Sequence, residues 1–163
     1  MFETAFGIPA HPLLVHVPVV FVPLLILVTI VYGLVPVWRP RLGWAVVALA
    51  VATPISCFLA RQSGLAFRAR LIRLKSVSDQ DLARINTHQS FGTRLLIVSI
   101  VLGLIALALV AVASTRGRGS SMASGFGPLT LILLVLAIAA GAVTGYYVFK
   151  TGDTGAHIVW QGR

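Results

Sequence analysis

Charged residues and cysteine are both scarce in this chain. Only 10% of the 163 residues are charged, four of them are acids, and Cys57 is the single cysteine. One cysteine excludes an intrachain disulfide framework and a cysteine metal cluster. No acid lies within the apolar runs, and no serine or cysteine stands beside a base in a recognisable nucleophile arrangement. The sequence therefore argues against catalysis by side chains alone.

The chain is rich in apolar residues. The hydrophobic share is 58% and the mean hydropathy is +0.96, far above the range of soluble domains, which indicates an integral membrane protein. The formal net charge is +9, but the basic residues lie between the apolar runs. We therefore expect them to contact lipid headgroups of the bilayer and not nucleic acid.

Four apolar runs are long enough to cross or nearly cross a bilayer as helices. They predict an all-α fold in which a single domain forms a bundle of four transmembrane helices. The predicted spans are residues 13–37, 44–60, 92–113 and 129–149. A flexible polar connector is expected over residues 114–127, where glycine, serine and arginine alternate.

The most polar stretch separates the second and third spans. Residues 65–75 mix apolar and basic side chains, which predicts an interfacial segment lying on the membrane. Ser78 followed by Asp79 and Asp81 predicts an N-cap with acids in the first turn. The third helix should therefore begin near Asp79 and project several turns out of the bilayer.

Four alternating spans bring all four histidines to one side of the membrane. We call this side, which carries His11, His16, His88 and His157, the histidine face. An ionisable group at the mouth of a spanning helix is a functional-site hypothesis by default. At 100° per residue, His88 shares a stripe with Gly92, and His16 shares one with Pro12, Val20 and Pro23, whereas His11 points elsewhere. His16 and His88 are therefore the predicted inward pair.

Three interpretations of these histidines stay open. A b-type heme takes two neutral imidazoles from facing helices, and its propionates could be bound by Arg61, Arg68, Arg84 or Arg94. A copper or zinc site would need three or four histidines. The third interpretation is cofactor-free: interfacial histidines hydrogen-bonded to carbonyls and headgroups. We prefer heme b, with His16 and His88 as iron ligands and with His157 and His11 as the reserve pair.

Three short motifs carry a family resemblance. They are His-Pro-Leu-Leu-Val-His-Val-Pro at residues 11–18, His88 followed by Gly92, and Gly-Ala-His-Ile-Val-Trp-Gln-Gly at residues 155–162. Together they resemble domain-of-unknown-function family 2231, a family of bacterial four-helix membrane proteins. The resemblance implies a four-helix membrane domain with the four histidines as its positions of interest. Members can be fused to, or encoded near, iron-sulfur and cytochrome modules, so the resemblance suggests redox work.

The expected function is therefore electron transfer within or beside a respiratory complex, with electrons from quinol or from a partner redox subunit. An electron carrier or accessory subunit fits the sequence better than a stand-alone enzyme does. The alternative is a cofactor-free accessory or interaction subunit of a larger membrane complex. Absorbance spectroscopy is the simplest way to distinguish these two functions, because a heme protein has a Soret band and a cofactor-free interaction protein has none.

Lysine and arginine predict the orientation in a bacterial cytoplasmic membrane. Nine lie on the histidine face and four on the other, so the positive-inside rule predicts cytoplasmic termini and histidines. The nine are Arg61, Arg68, Arg70, Arg73, Lys75, Arg84, Arg94, Lys150 and Arg163, and the four are Arg39, Arg41, Arg116 and Arg118. All four acids also lie on the histidine face, and a link to extracytoplasmic redox modules argues for the opposite orientation.

Overall fold

The structure is a computed structural model that describes residues 4–5, 7–116 and 127–160. Within these residues a short antiparallel pair, β1 (Thr4–Ala5) and β2 (Ile8–Pro9), precedes five α-helices. The helices are α1 (Ala10–Leu14), α2 (His16–Leu34), α3 (Arg39–Arg73), α4 (Asp79–Arg116) and α5 (Pro128–Trp160). Most of the predicted connector, together with Glu3, Arg118 and Arg163, lies outside the described residues.

Four helical stretches of the described chain are long and apolar enough to cross a membrane. They are α1 with α2, α3 with the 3₁₀ turn before it, α4, and α5. This confirms the all-α class and the four-helix membrane bundle. The first helix ends at Leu34, before the predicted Val37, because Val35 precedes a proline and is driven out of the helical region (φ −118°, ψ 85°).

Two prolines interrupt the first helical stretch. Pro18 has no backbone N–H, so it cannot donate to the carbonyl of Leu14, and α1 gives way to α2 at Val15. Val15 nevertheless keeps right-handed helical angles (φ −66°, ψ −23°), so the helical phase carries through the break. Pro23 lies inside α2. Residues of α1 can therefore be counted on the same helical wheel as those of α2.

The interfacial segment expected between the second and third spans is not a separate element. Residues 61–73 continue α3 without a break, and the helix ends only where Lys75 adopts a positive φ of 49°. A mixture of apolar and basic residues fits a helix lying on a membrane, but equally a helix end whose long basic side chains reach into the headgroups. With 35 residues, α3 is about 52 Å long, well beyond the hydrocarbon core of about 30 Å.

The start of α4 matches the predicted N-cap. The backbone N–H of Asp81 donates to Ser78 Oγ over 3.1 Å, and Ser78 Oγ donates to Asp81 Oδ2 over 2.7 Å. Asp79 and Asp81 both lie in the first turn, where the helix dipole favours negative charge. The 38 residues of α4 give it a length of about 57 Å, so this helix also extends past the hydrocarbon core.

The long helices form a closed ring. Each packs against its neighbours in sequence, and α2 packs against α5 to close the bundle. The main core cluster lies between α2, α3 and α4. Its buried members are Leu25, Tyr32, Val46, Ala50, Leu102, Ala106, Leu109 and Ala113. Gly103 makes the closest approach there, because a Cβ at this position would lie 2.7 Å from the carbonyl oxygen of Ala50.

We predict that Gly103→Ala destabilises the bundle by about 1–3 kcal/mol, since the added methyl group meets backbone of α3 that cannot rotate away. Thermal unfolding of the detergent-purified protein measures the effect. The matched control is Gly152→Ala, where nothing lies within 4 Å of the added carbon. The control should be neutral or should stabilise by up to about 1 kcal/mol through helix propensity. Equal unfolding temperatures for the two variants would contradict the close α3–α4 contact.

Candidate functional site

Two of the four histidines meet inside the bundle at the histidine face. The rings of His11 and His88 have their centroids 6.1 Å apart, with planes at 77° to each other, and both side chains are half-buried. His11 comes from α1 and His88 from the second to third turn of α4. Helix α1 is packed against α3, and α4 against both α3 and α5. The pair therefore lies where the ends of four helices converge.

His11 is anchored to α3. Its Nδ1 lies 3.0 Å from the carbonyl oxygen of Ala60 and 3.1 Å from Ser63 Oγ. Ser63 Oγ itself donates to the same carbonyl over 2.8 Å, so its hydrogen is already used. Gly64 provides the space for the ring, since a Cβ there would lie 3.0 Å from His11 Cε1. The ring of Phe67 completes this contact, with its centroid 6.5 Å away and nearly parallel.

His88 is anchored to α5 in a parallel way. Its Nδ1 lies 3.1 Å from Thr154 Oγ1, and Thr154 Oγ1 donates to the carbonyl oxygen of Lys150 over 2.8 Å. Gly155 provides the space, because a Cβ there would lie 3.1 Å from His88 Cε1. Both histidines thus have the same surroundings: a hydroxyl group on the neighbouring helix at Nδ1, and the glycine that follows this hydroxyl residue against Cε1.

These hydrogen bonds determine where the ring protons lie. A carbonyl oxygen can only accept, so His11 Nδ1 must donate to Ala60. Thr154 Oγ1 also lies 2.8 Å from the carbonyl oxygen of Lys150, and a hydroxyl proton directed there leaves Thr154 Oγ1 to accept from His88 Nδ1. In a neutral imidazole with Nδ1 protonated, Nε2 carries a lone pair. The bond to Ala60 thus assigns this tautomer to His11, and the surroundings of His88 are compatible with the same tautomer.

The predicted pairing of His16 with His88 does not match this geometry. His16 is exposed, and so is Val20 on the stripe assigned to it. The buried stripe of α2 instead includes Pro18, Val22, Leu25 and Thr29. Thr29 is 18 residues after His11, a whole number of turns at 100° per residue, so His11 is the inward histidine. Because α2 is apolar on every side, its hydropathy did not identify the inward stripe.

The corresponding expectation for α4 agrees with the structure. His88 shares its stripe with Leu95 and Ser99, which are 5% and 0% exposed. Gly92 lies on the same stripe, 4.0 Å from Thr151 Cγ2 when a Cβ is added. Here the small and polar residues of the stripe marked the inward side, as they commonly do in membrane bundles.

His157 lies apart from the pair. It is exposed, and its Nδ1 lies 2.8 Å from the carbonyl oxygen of Asp153 and 3.3 Å from Asp153 Oδ1. It borders a cavity of about 170 Å³, whose other lining residues are Arg84, Thr87, Thr154 and Ile158. Within the described residues, no group of three or more His, Cys, Asp or Glu side chains is arranged to hold a metal ion.

The four candidate arginines differ in position. Arg61 and Arg68 of α3 bond to Thr93 and Asn86 of α4. Arg84 lines the cavity beside Thr154 and lies 3.8 Å from the Asp81 carboxylate. Arg94 is exposed, and its guanidinium lies over the ring of Phe91 at 5.8 Å from the centroid. Arg84 is therefore adjacent to a residue that contacts His88, whereas the contact described for Arg94 is with a side chain on its own helix.

Sequence reasoning missed the residues that hold the two rings. Ser63 and Gly64 carry no motif of their own, and the motif at residues 155–162 drew attention to His157. The position that contacts His88 is Thr154, immediately before that motif. A hydroxyl residue followed by glycine occurs at 63–64 and 154–155, but also at 124–125, 144–145 and 151–152, so this pair alone does not identify the residues that hold the rings.

The fold and the site define a multi-pass membrane protein: a four-helix bundle with a histidine pair near one end. More specifically, the chain belongs to the DUF2231 family, described as a predicted membrane protein, whose family model matches residues 7–163. This confirms the family resemblance seen in the sequence. No curated protein and no solved structure matches the chain.

We predict that His11 and His88 are both Nδ1-protonated tautomers in the purified protein without added cofactor. Their Nδ1 atoms face acceptors on α3 and α5, whereas the His16 side chain is exposed. Nitrogen-15 NMR of histidine-labelled protein distinguishes the tautomers, and single substitutions of each histidine assign the signals. Thr154→Val should change the His88 signal alone, and Thr87→Val is its matched control. An Nε2-protonated His11 would contradict the bond to Ala60.

Proposed function

We propose that the protein is a membrane redox carrier in which His11 and His88 would hold a b-type heme. The proposal rests on one observation: each Nδ1 is hydrogen-bonded to a neighbouring helix, so each Nε2 can offer a lone pair. A hydrogen bond at the far nitrogen is the usual outer partner of a metal-bound histidine, since it fixes the ring orientation and raises its basicity.

The number and type of donors favour heme over zinc or copper. Two neutral imidazoles from two helices are sufficient axial ligands for a b-type heme, whereas structural and catalytic zinc sites take at least three protein ligands. The two rings come from different helices with their centroids 6.1 Å apart, so both side chains would be able to hold one group between them.

The surrounding residues have supporting roles in this proposal. Ala60, Ser63 and Thr154 orient the rings, and Gly64 and Gly155 keep side chains away from them. Arg84, at the cavity beside Thr154, is the candidate partner of a propionate through a charge-assisted hydrogen bond. The heme would supply one-electron chemistry. A position near one membrane face suits exchange with quinol or with a partner redox subunit of a respiratory complex.

We predict that the reduced-minus-oxidised spectrum of protein expressed with ample heme has the bands of a b-type cytochrome. His11→Ala and His88→Ala should each abolish them, because each removes one of the two residues that would hold the heme. His16→Ala and His157→Ala are the matched controls and should keep the full spectrum, since both side chains are exposed. Loss of the bands in His16→Ala with retention in His11→Ala would overturn the ligand assignment.

A second candidate is a cofactor-free accessory subunit in which the histidines serve packing alone. The observation that favours it is that His11 joins α1 to α3 and His88 joins α4 to α5 through direct hydrogen bonds. A flat spectrum, no stoichiometric metal, and lower unfolding temperatures for His11→Ala and His88→Ala would together support this candidate. Stoichiometric copper or zinc without a Soret band would support a metal-ion site instead.

We also propose that the histidine face is cytoplasmic in a bacterial membrane, on the strength of the lysine and arginine count given above. The prediction uses Ser76→Cys in the exposed link between α3 and α4, and Val37→Cys at the opposite end, which is 74% exposed. A membrane-impermeant thiol reagent should label Val37→Cys in intact spheroplasts and Ser76→Cys only after permeabilisation. The unmodified protein is the background control, because Cys57 is buried. The reverse labelling pattern would place the histidines outside.

A further inference from the structure

A polar groove lies between α3 and α4, away from the histidine pair. It has a volume of about 310 Å³. Its lining residues are Arg68, Asn86, Gln89, Ser90 and Thr93. On α4 these residues lie about 100–200° around the helix from His88, at 100° per residue. On α4 the groove, which we call the α3/α4 groove, therefore faces away from His88.

Two arginines of α3 are held at this groove by α4. Arg68 Nε donates to Asn86 Oδ1 over 2.9 Å, and Arg61 Nε donates to Thr93 Oγ1 over 3.0 Å. Both side chains are half-buried. A guanidinium carries five N–H donors in a rigid plane, so a bond through Nε fixes the plane and leaves the terminal Nη groups to bind other acceptors.

The positive charge at the groove comes from arginine, and the side-chain donors there are guanidinium and amide NH₂ groups. Asn86 Oδ1 already accepts from Arg68, which leaves the amide NH₂ group as its donor. Ser90 Oγ donates to the carbonyl of Thr87, and Thr93 Oγ1 both accepts from Arg61 and donates to the carbonyl of Gln89. No carboxylate is among the lining residues. Such a groove suits an anion that offers several oxygen acceptors.

The depth of the groove suggests the source of that anion. Arg61 and Thr93 lie at the edge of the predicted apolar spans, whereas Arg68 and Asn86 lie one to two turns further out. This is the level of lipid headgroups, and the groove is on the side of α4 away from the histidine pair. We propose that the α3/α4 groove binds a phosphate group through Arg61 and Arg68, supplied by an anionic phospholipid. The proposal does not depend on heme.

Native mass spectrometry of the detergent-purified full chain tests this proposal, with phosphatidylglycerol and phosphatidylcholine offered in equal amounts. The unmodified protein should retain phosphatidylglycerol preferentially. Arg61→Gln combined with Arg68→Gln should lower that retention roughly tenfold, the size expected for losing a charge-assisted hydrogen bond. Arg68→Gln alone is the second variant, because its bond to Asn86 is exposed and its loss disturbs folding least.

Arg41→Gln is the matched control, with the same change of charge in an exposed side chain at the opposite end of the bundle. It should retain phosphatidylglycerol as the unmodified protein does. Equal retention in Arg68→Gln, Arg41→Gln and the unmodified protein would overturn a specific site, as would an equal loss in the two variants.

A second arm separates a lipid from a soluble ligand. Unfolding temperatures are measured in inorganic phosphate and in chloride at matched ionic strength, with no lipid added. A rise in phosphate that Arg68→Gln removes, without any preference for phosphatidylglycerol, would support the same groove with a soluble phosphate ligand. The lipid proposal expects the preference for phosphatidylglycerol, whereas no effect in either arm would overturn both versions.

Discussion

Polar groups buried in this bundle need partners within the bundle, because hydrocarbon offers none. The backbone meets this constraint by remaining helical from one side to the other. Several buried hydroxyls meet it by bonding to carbonyls one turn back, as Thr144 does to Ala140 over 2.7 Å and Ser56 to Thr53 over 2.7 Å. Ser63 and Thr154 also bond to carbonyls of their own helices, and their oxygens can then accept hydrogen bonds from the histidines. Among the described residues, the Oγ1 atoms of Thr29 and Thr130 are the buried side-chain atoms without a partner.

The tautomers follow from this constraint and not from the histidines themselves. Once the hydroxyl groups of α3 and α5 have used their protons on their own helices, His11 and His88 must each donate through Nδ1. Two lone pairs on Nε2 are the consequence, and they belong to rings only 6.1 Å apart. Two rings that come from different helices and are each held by a neighbouring helix form a more specific arrangement than four histidines on one face.

Hydropathy alone was enough for the number of helices, their approximate positions and the helical class, and Ser78 with two acids was enough for the start of α4. Hydropathy did not identify the inward side of α2, because apolar residues are accommodated by lipid on the outside of the bundle as readily as by the core on the inside. Thr29 indicates the inward side of α2, because it is polar, fully buried and in helical phase with His11. The extent of α3 was missed because basic residues beyond an apolar run fit two different helix orientations.

The length of α4 allows it to carry different chemistry on opposite sides of its first turns. The side toward α1 and α5 presents His88 to His11 and Thr154. The side toward α3 presents Asn86 to Arg68 and Thr93 to Arg61. His88 and Asn86 lie before the predicted span that begins at residue 92, and Thr93 lies just inside it. A helix that ended at the membrane surface would have neither, so the projection of α3 and α4 past the bilayer is what makes room for a histidine pair and a basic groove on one small bundle.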